Sequence, residues 1–324
     1  MRYFLTGATG FIGGALARAL RREGHEVVAL VRDRAKAAPL AEAGVTLGDG
    51  DVTDPASLRG PMRGVDGVFH VAAVYRLGTD RERVEAGNVA GTRHVMEAVR
   101  DLGIEKVVYT SSLGVYGDTG GRRVREGERP PRPTLSAYHE TKWRAQYEIV
   151  DPLAAEGLPV VSVFPGLVYG PGDTSQLGAM LARVADGAPV PLPGGAAGVC
   201  WGFVDDVARG HVLAMERGVP GEHYHLAGPC HTYGEAVATM GRVTGRPTRA
   251  LLLPPALLRG GAAIAERVER WLRLPEDYSA ESQRAVAGTT FYGDDTKARE
   301  TLGFAPRTLE EGLRETFGRD AISR

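Results

Sequence analysis

The chain has 324 residues, a net charge of −1 at pH 7, 43% hydrophobic and 24% charged residues. That is the profile of a globular protein long enough for one or two cored domains. A charge near zero leaves no broad electrostatic footprint for nucleic acid or an anionic membrane, so neither partner is expected.

The N-terminus, Met1-Arg2-Tyr3-Phe4-Leu5-Thr6-Gly7, enters a glycine loop at once, with no room for a leader's apolar stretch. No apolar run approaches the ~18 residues of a membrane span. A cytoplasmic location is therefore expected. Cys200 and Cys230 offer neither a disulfide framework nor metal spacing, so two free thiols and no metal are expected.

In chain order, residues 3–6 read as a strand and 12–23 as an amphipathic helix, with Ala15, Leu16, Ala19 and Leu20 at helical spacing and Gly24 behind it. Further strands are expected at 27–31, 45–47, 68–71, 106–110 and 160–164, and helices at 34–43, 83–102 and 137–156. Strands alternating with helices of this length imply parallel pairing through right-handed crossovers. The fold class is thus α/β, a Rossmann-type doubly wound parallel sheet. Beyond residue 165 Gly and Pro accumulate, and helices are expected at 177–186, 205–216, 233–244 and 255–272. The domains implied are a dinucleotide-binding unit, 1–165, and a substrate-binding region, 166–324, partly interleaved with the last sheet strands.

Thr6-Gly7-Ala8-Thr9-Gly10-Phe11-Ile12-Gly13 lies between the first strand and the first helix. Gly7 permits the tight turn, Gly10 lets the backbone approach a pyrophosphate, and Gly13 allows close helix–sheet packing. The unpaired N–H groups and dipole of the helix start favour phosphate, which places Thr9, Phe11 and Ile12 at the cofactor too. The second strand ends Val31-Arg32-Asp33. An NAD site wants a carboxylate at the strand tip for the ribose hydroxyls, whereas Arg32 can stack on adenine and pair with a 2′-phosphate. Arg34 and Lys36 could add charge, and Asp33, about 20 residues beyond the loop, keeps NAD(H) open. NADP(H) is favoured.

Tyr138 and Lys142 are four apart at the start of a predicted helix and share one face. With 11 tyrosines and four lysines, chance supplies about 0.14 such pairs in 324 residues, and this is the only one present. A tyrosine is a poor base at neutral pH unless a nearby cation favours its phenolate, which Lys142 and a nicotinamide ring would do. Thr110-Ser111-Ser112-Leu113-Gly114-Val115-Tyr116 leaves the fifth strand at its carboxyl end, where a serine hydroxyl can donate to a developing oxyanion.

Together the glycine loop, the serine segment and Tyr138-x-x-x-Lys142 resemble the extended short-chain dehydrogenase/reductase family over nearly the whole chain. By that resemblance Ser112, four before Tyr116, is the catalytic serine, with Ser111 as fallback, beside Tyr138 and Lys142. Asp51 and Val52 touch adenine. Ala72 and Ala73, in Phe69-His70-Val71-Ala72-Ala73, line the cofactor, with His70 read as a core imidazole. Asn88 supports the site from the central helix. Pro165 and Val168, in the loop through Pro171, meet the nicotinamide. The resemblance also implies a homodimer through helices 83–102 and 137–156, with a monomer as the alternative.

Three departures select a branch. Ser111 and Leu113 flank Ser112 where dehydratases carry an acidic pair. Phe164-Pro165 stands where epimerases usually carry Asn-Pro or Arg-Pro. Val199 to Asp206 lacks the arginine that holds a sugar diphosphate. What remains resembles the branch containing dihydroflavonol reductases. The expected chemistry is reduction of a small or medium aldehyde or ketone, with a nucleotide-sugar epimerase or 4-reductase as the alternative. Tyr75, Phe164 and Trp201 are candidate apolar walls or core residues.

Overall fold

The computed structural model describes residues 1–75, 81–268, 281 and 287–318. The first half runs β1 (Arg2–Thr6), α1 (Phe11–Arg22), β2 (Glu26–Val31), α2 (Ala38–Glu42), β3 (Thr46–Asp49), α3 (Pro55–Met62), β4 (Gly67–His70), α4 (Arg81–Glu85), α5 (Gly91–Leu102), β5 (Val107–Thr110), α6 (Ala137–Arg144), α7 (Asp151–Ala155) and β6 (Val160–Pro165). The second half adds β7 (Leu167–Tyr169), α8 (Gln176–Ala185), β8 (Val190–Pro193), β9 (Gly198–Phe203), α9 (Val204–Arg217), β10 (His223–Leu226), β11 (Cys230–Thr232), α10 (Tyr233–Thr244), β12 (Ala250–Leu253), α11 (Pro255–Val268), β13 (Thr290–Phe291) and α12 (Leu309–Phe317).

Seven strands form one sheet in the order β10-β6-β5-β4-β1-β2-β3, parallel at every pairing. The sheet is Rossmann-type, and its strand order reverses between β1 and β4, where ligands bind in such sheets. Strand alternation divides the core. Leu5, Ala29, Phe69 and Val108 face α1 and α9, while Phe4, Val28, Val68, Val107 and Tyr109 face α3, α5 and the segment after α6. A smaller sheet, with β9 flanked by β11 and β13 and also paired by β7, packs with α8, α10 and α12. β8 and β12 make a separate parallel pair.

The large sheet does not end at residue 165. β10 pairs with β6, and α9 packs against α1 on the same face, so residues 204–226 belong to it. The helix expected at 34–43 shrinks to α2. Asp33 accepts the amides of Ala35 and Lys36 in a turn, which delays the helix until Pro39 can occupy its first turn. α3 was not expected; Asp54 caps it by accepting the Ala56 amide. The helices around 83–102 and 137–156 each contain a turn of π-helix, Ala86–Ala90 and Ala145–Val150. Residues 269–272 of the helix expected at 255–272 lie outside the described residues.

One expectation is overturned. Cys200 and Cys230 are directly paired on antiparallel β9 and β11 and form a disulfide. Their 30-residue separation hides the pairing, because neither short strand carries a local signal strong enough to reveal it.

Candidate active site

The glycine loop is tight enough to require its glycines. Gly7 has φ +77°, and a Cβ there would lie 2.7 Å from the Ala72 amide nitrogen. A Cβ on Gly13 would lie 2.1 Å from the Gly7 carbonyl oxygen. α1 begins at Phe11 with Gly10 as a cap that has no side chain to satisfy the first-turn N–H groups. Thr9 and Gly10 are exposed and Phe11 and Ile12 partly so. The arrangement fits a dinucleotide: an uncapped helix start at the carboxyl edge of the sheet is a cradle for a pyrophosphate.

β2 ends at Val31, and the exposed Arg32 guanidinium lies 3.6 Å from Asp51. Asp33 is committed to its own turn, its carboxylate accepting the Ala35 and Lys36 amides at 2.9 and 3.3 Å. Arg34 is held by Asp49 through two hydrogen bonds of 2.7 and 2.9 Å. Asp51 accepts both the amide and hydroxyl of Thr53, and the Val52 carbonyl is 2.9 Å from His94 Nδ1. Ala72 donates its amide to Thr6 Oγ1 at 3.2 Å, next to the glycine turn. Ala73 follows on the exit from β4. Pro165 ends β6, and Gly166 is wedged between the carbonyls of Cys200 and Ala227, which fixes the path into Val168 on β7.

Ser112 caps the short turn Leu113–Tyr116 by accepting the Gly114 amide at 3.1 Å. Ser136 caps α6, so Tyr138 emerges in its first turn and Lys142 one turn later. Tyr75 meets the Tyr138 ring edge-on at 4.7 Å. Burial pushes the Tyr138 phenol well above its usual range; Tyr75 adds to this, and a hydrogen bond with Ser112 opposes it. Ser112, not Ser111, reaches Tyr138. The Ser111 hydroxyl is buried without a hydrogen-bond partner.

Lys142 is buried, and burial lowers its pKa to about 7. Its Nζ donates to Tyr109 Oη at 2.9 Å and to the Thr110 carbonyl at 2.6 Å, and lies 4.4 Å from the centre of the Tyr109 ring. Asn88 ties the site together. Its amide group bonds both backbone atoms of Val74 and, at 3.1 Å, the hydroxyl of Thr141, between Tyr138 and Lys142.

Of the proposed walls, Phe164 and Trp201 are fully buried core residues, whereas Tyr75 is 56% exposed beside Tyr138. His70 is a buried imidazole hydrogen-bonded at both nitrogens, and burial lowers its pKa to about 3. Sequence reasoning missed Tyr109 and Thr92, because their meeting with Lys142 and His70 depends on packing between β4, β5, α5 and α6. Among the described residues no group of three His, Cys, Asp or Glu side chains could hold a metal, and no helix is long and apolar enough to cross a membrane.

The family model described as NAD dependent epimerase/dehydratase family matches residues 3–227. A relative named sterol demethylase protein B, from Methylococcus capsulatus, is 32% identical over 94% of this chain and 94% of its own length. A putative dihydroflavonol 4-reductase from Synechocystis is 32% identical over 96% of this chain and 92% of its own. A UDP-glucose 4-epimerase from Streptomyces lividans is 30% identical over 83% of this chain and 91% of its own. The crystal structure of gox2253 superimposes with a TM-score of 0.81 at 32% identity, covering 99% of this chain and 96% of that one. The relatives thus include both reductases and epimerases, and the chain is an NAD(P)-dependent enzyme of the oxidoreductase type. It belongs to the NAD dependent epimerase/dehydratase family.

Proposed function

We propose that this protein is an NADP(H)-dependent reductase of a small or medium aldehyde or ketone. The observation that carries the reading is the Tyr138 phenol, kept protonated by burial, beside the Ser112 hydroxyl and one helical turn from Lys142. A neutral phenol is the form an acid catalyst needs during reduction. Tyr138 would donate its proton to the oxygen of the carbonyl as it becomes an alkoxide. Ser112 would hold that oxygen's developing charge, and Lys142 would anchor the nicotinamide ribose and favour the phenolate left behind. The bound dinucleotide supplies the hydride.

The choice of NADP(H) rests on the tip of β2. Arg32 is exposed there, while Asp33, the residue that could serve a ribose 2′-hydroxyl, spends its carboxylate on its own turn. The choice of reductase rests on the lack of an arginine within Val199–Asp206 to hold a sugar diphosphate. Beside that segment the Arg307 guanidinium is paired with Asp206 and Glu315 and packs over Phe203 at 3.8 Å. An NADPH-oxidation screen over aldehydes, diketones and flavanonols tests the reading. Tyr138→Phe should lower kcat by about 10²–10⁴, and a variant as fast as the parent would remove Tyr138 from the mechanism.

A second reading is favoured by the Streptomyces epimerase relative: an NAD-dependent nucleotide-sugar epimerase or 4-reductase. It requires that UDP- or dTDP-sugars bind in equilibrium dialysis, and no binding would sink it.

A further inference from the structure

Lys142 does not stand alone in its pocket. An ammonium has three N–H donors. Two are taken, by Tyr109 Oη and the Thr110 carbonyl. Since Tyr109 accepts from Lys142, its own hydrogen is free to turn toward Thr92, the side chain whose hydroxyl opposes the effect of burial on the Tyr109 phenol. Thr92 Oγ1 in turn donates to the Asn88 carbonyl at 2.7 Å, so it accepts from His70 Nε2, 3.0 Å away. His70 must then carry its proton on Nε2 and accept at Nδ1 from Thr6 Oγ1 at 2.8 Å. Thr6 accepts the Ala72 amide. The commitment of the Thr92 hydrogen to the Asn88 carbonyl fixes the tautomer of His70 by elimination. Thr6, His70 and Thr92 are each no more than 1% exposed and Tyr109 is fully buried, so water does not compete for these bonds.

We propose that Tyr109, with Thr92 and neutral His70 behind it, is a positioning residue: it fixes the rotation of the Lys142 ammonium so that the one remaining N–H faces the nicotinamide ribose. This rests on the reductase reading only for its kinetic arm. Tyr109 is fully buried and acts through Lys142. The chain also ties that ammonium to the base of the glycine loop at Thr6 and Ala72, so both ends of the dinucleotide cradle share one hydrogen-bond network.

Tyr109→Phe keeps the ring over Lys142 and deletes only the hydroxyl. Two readouts decide its effect. Fluorescence titration with NADPH needs no turnover, and the dissociation constant should rise about tenfold, the loss of roughly one charge-assisted hydrogen bond. In the direction of alcohol oxidation, Tyr138 must lose its proton. A less well-held ammonium leaves the phenolate less favoured, so the acid limb of kcat should move up by about half a pH unit or more, with the KM for the alcohol little changed. Thr92→Val should reproduce the direction of both effects, and Thr92→Ser, which restores the hydroxyl, should return both to the parent values. Parent-like binding and pH profile in a folded Tyr109→Phe protein would overturn the proposal. So would equal losses in Thr92→Ser and Thr92→Val, which would mark Thr92 as packing only. If the parent binds NADPH but reduces no carbonyl, the reductase reading fails while the binding arm still decides this one. If Tyr109→Phe does not fold, the Thr92 pair gives the same decision.

Discussion

The two sheets of this protein are held together differently. In the large sheet each strand pairs with parallel neighbours and is covered on both faces, so its stability is spread over continuous apolar cores. The small sheet is assembled from strands of two to six residues donated by four distant segments. It shares an apolar cluster with α8, α10 and α12, and its short strands are further fastened by point contacts: the Cys200–Cys230 disulfide, Asp118 accepting the Thr290 amide at 2.9 Å, and Arg307 on Asp206. The dinucleotide cradle and the Tyr138–Lys142 pair sit on the first kind of architecture, where geometry is set by buried backbone. In the reading proposed above, the substrate side would be built by the second kind, which the fold keeps apart from the strands that carry the cradle.

Acid should act first on the large sheet, and most strongly. His70, His211 and His225 are buried in or against it, and burial lowers their pKa values to about 3, 4 and 3. His139, beside Tyr138, is lowered to about 4. An unfolded histidine binds a proton below about pH 6.5, whereas these do not until pH 3–4, so the unfolded state gains protons first and stability falls as pH drops from 6.5. The summed loss by pH 4.5 is on the order of 5–10 kcal/mol, comparable to a domain's whole stability. Melting temperatures recorded from pH 7 to 4.5 should therefore fall steeply. His211 and His225 lie on α9 and β10, so His211→Gln or His225→Gln should flatten that fall for the whole sheet. A separate, lower transition for residues 204–226 would instead make them part of the small lobe.

Gly13→Ala attacks the cradle directly, because the new methyl would sit 2.1 Å from the Gly7 carbonyl. It should weaken NADPH binding more than 100-fold in a fluorescence titration, and retained affinity would mean that α1 can shift without loss. This site was legible in the sequence for the reason that it is fragile: its geometry is local. Gly7, Gly10 and Gly13 are set by one turn, and Tyr138 and Lys142 by one helical turn. Tyr109 and Thr92 were not legible, since nothing near them in sequence predicts a buried ammonium 33 residues from Tyr109. The small sheet was missed almost entirely. Strands such as Leu167–Tyr169 and Cys230–Thr232 are too short for alternation to register, and their existence depends on β9 as a shared partner.

Removing the disulfide probes the other architecture. Closing a 30-residue span restricts the unfolded chain, and its loss should cost about 3 kcal/mol. In the Cys200→Ser/Cys230→Ser double variant, amide exchange should quicken in β9, β11 and β13 while NADPH affinity stays within about twofold of the parent. Equal quickening in β1 and β4 would show that the two sheets unfold as one unit, and the contrast between them would fail.

The smallest effect is the most selective. Arg32 stands at the end of β2 with its guanidinium exposed and only a 3.6 Å approach to Asp51, an arrangement that contributes little to folding. Its value should appear only with a 2′-phosphate present, as a charge-assisted pair of about 1.5–3 kcal/mol. Arg32→Ala should thus raise the NADPH dissociation constant by about 10–100-fold, leave the NADH constant within about twofold and not move the melting temperature. The remaining cations nearby cannot readily substitute: Arg34 is bound to Asp49, and Lys36 lies 3.9 Å from Asp33. Equal losses for the two dinucleotides would place the effect on adenine stacking instead and reopen the case for NAD(H). If Asp33 then proved to be the ribose ligand, Asp33→Asn would weaken NADH alone, and its turn with Ala35 and Lys36 would have to open to release the carboxylate.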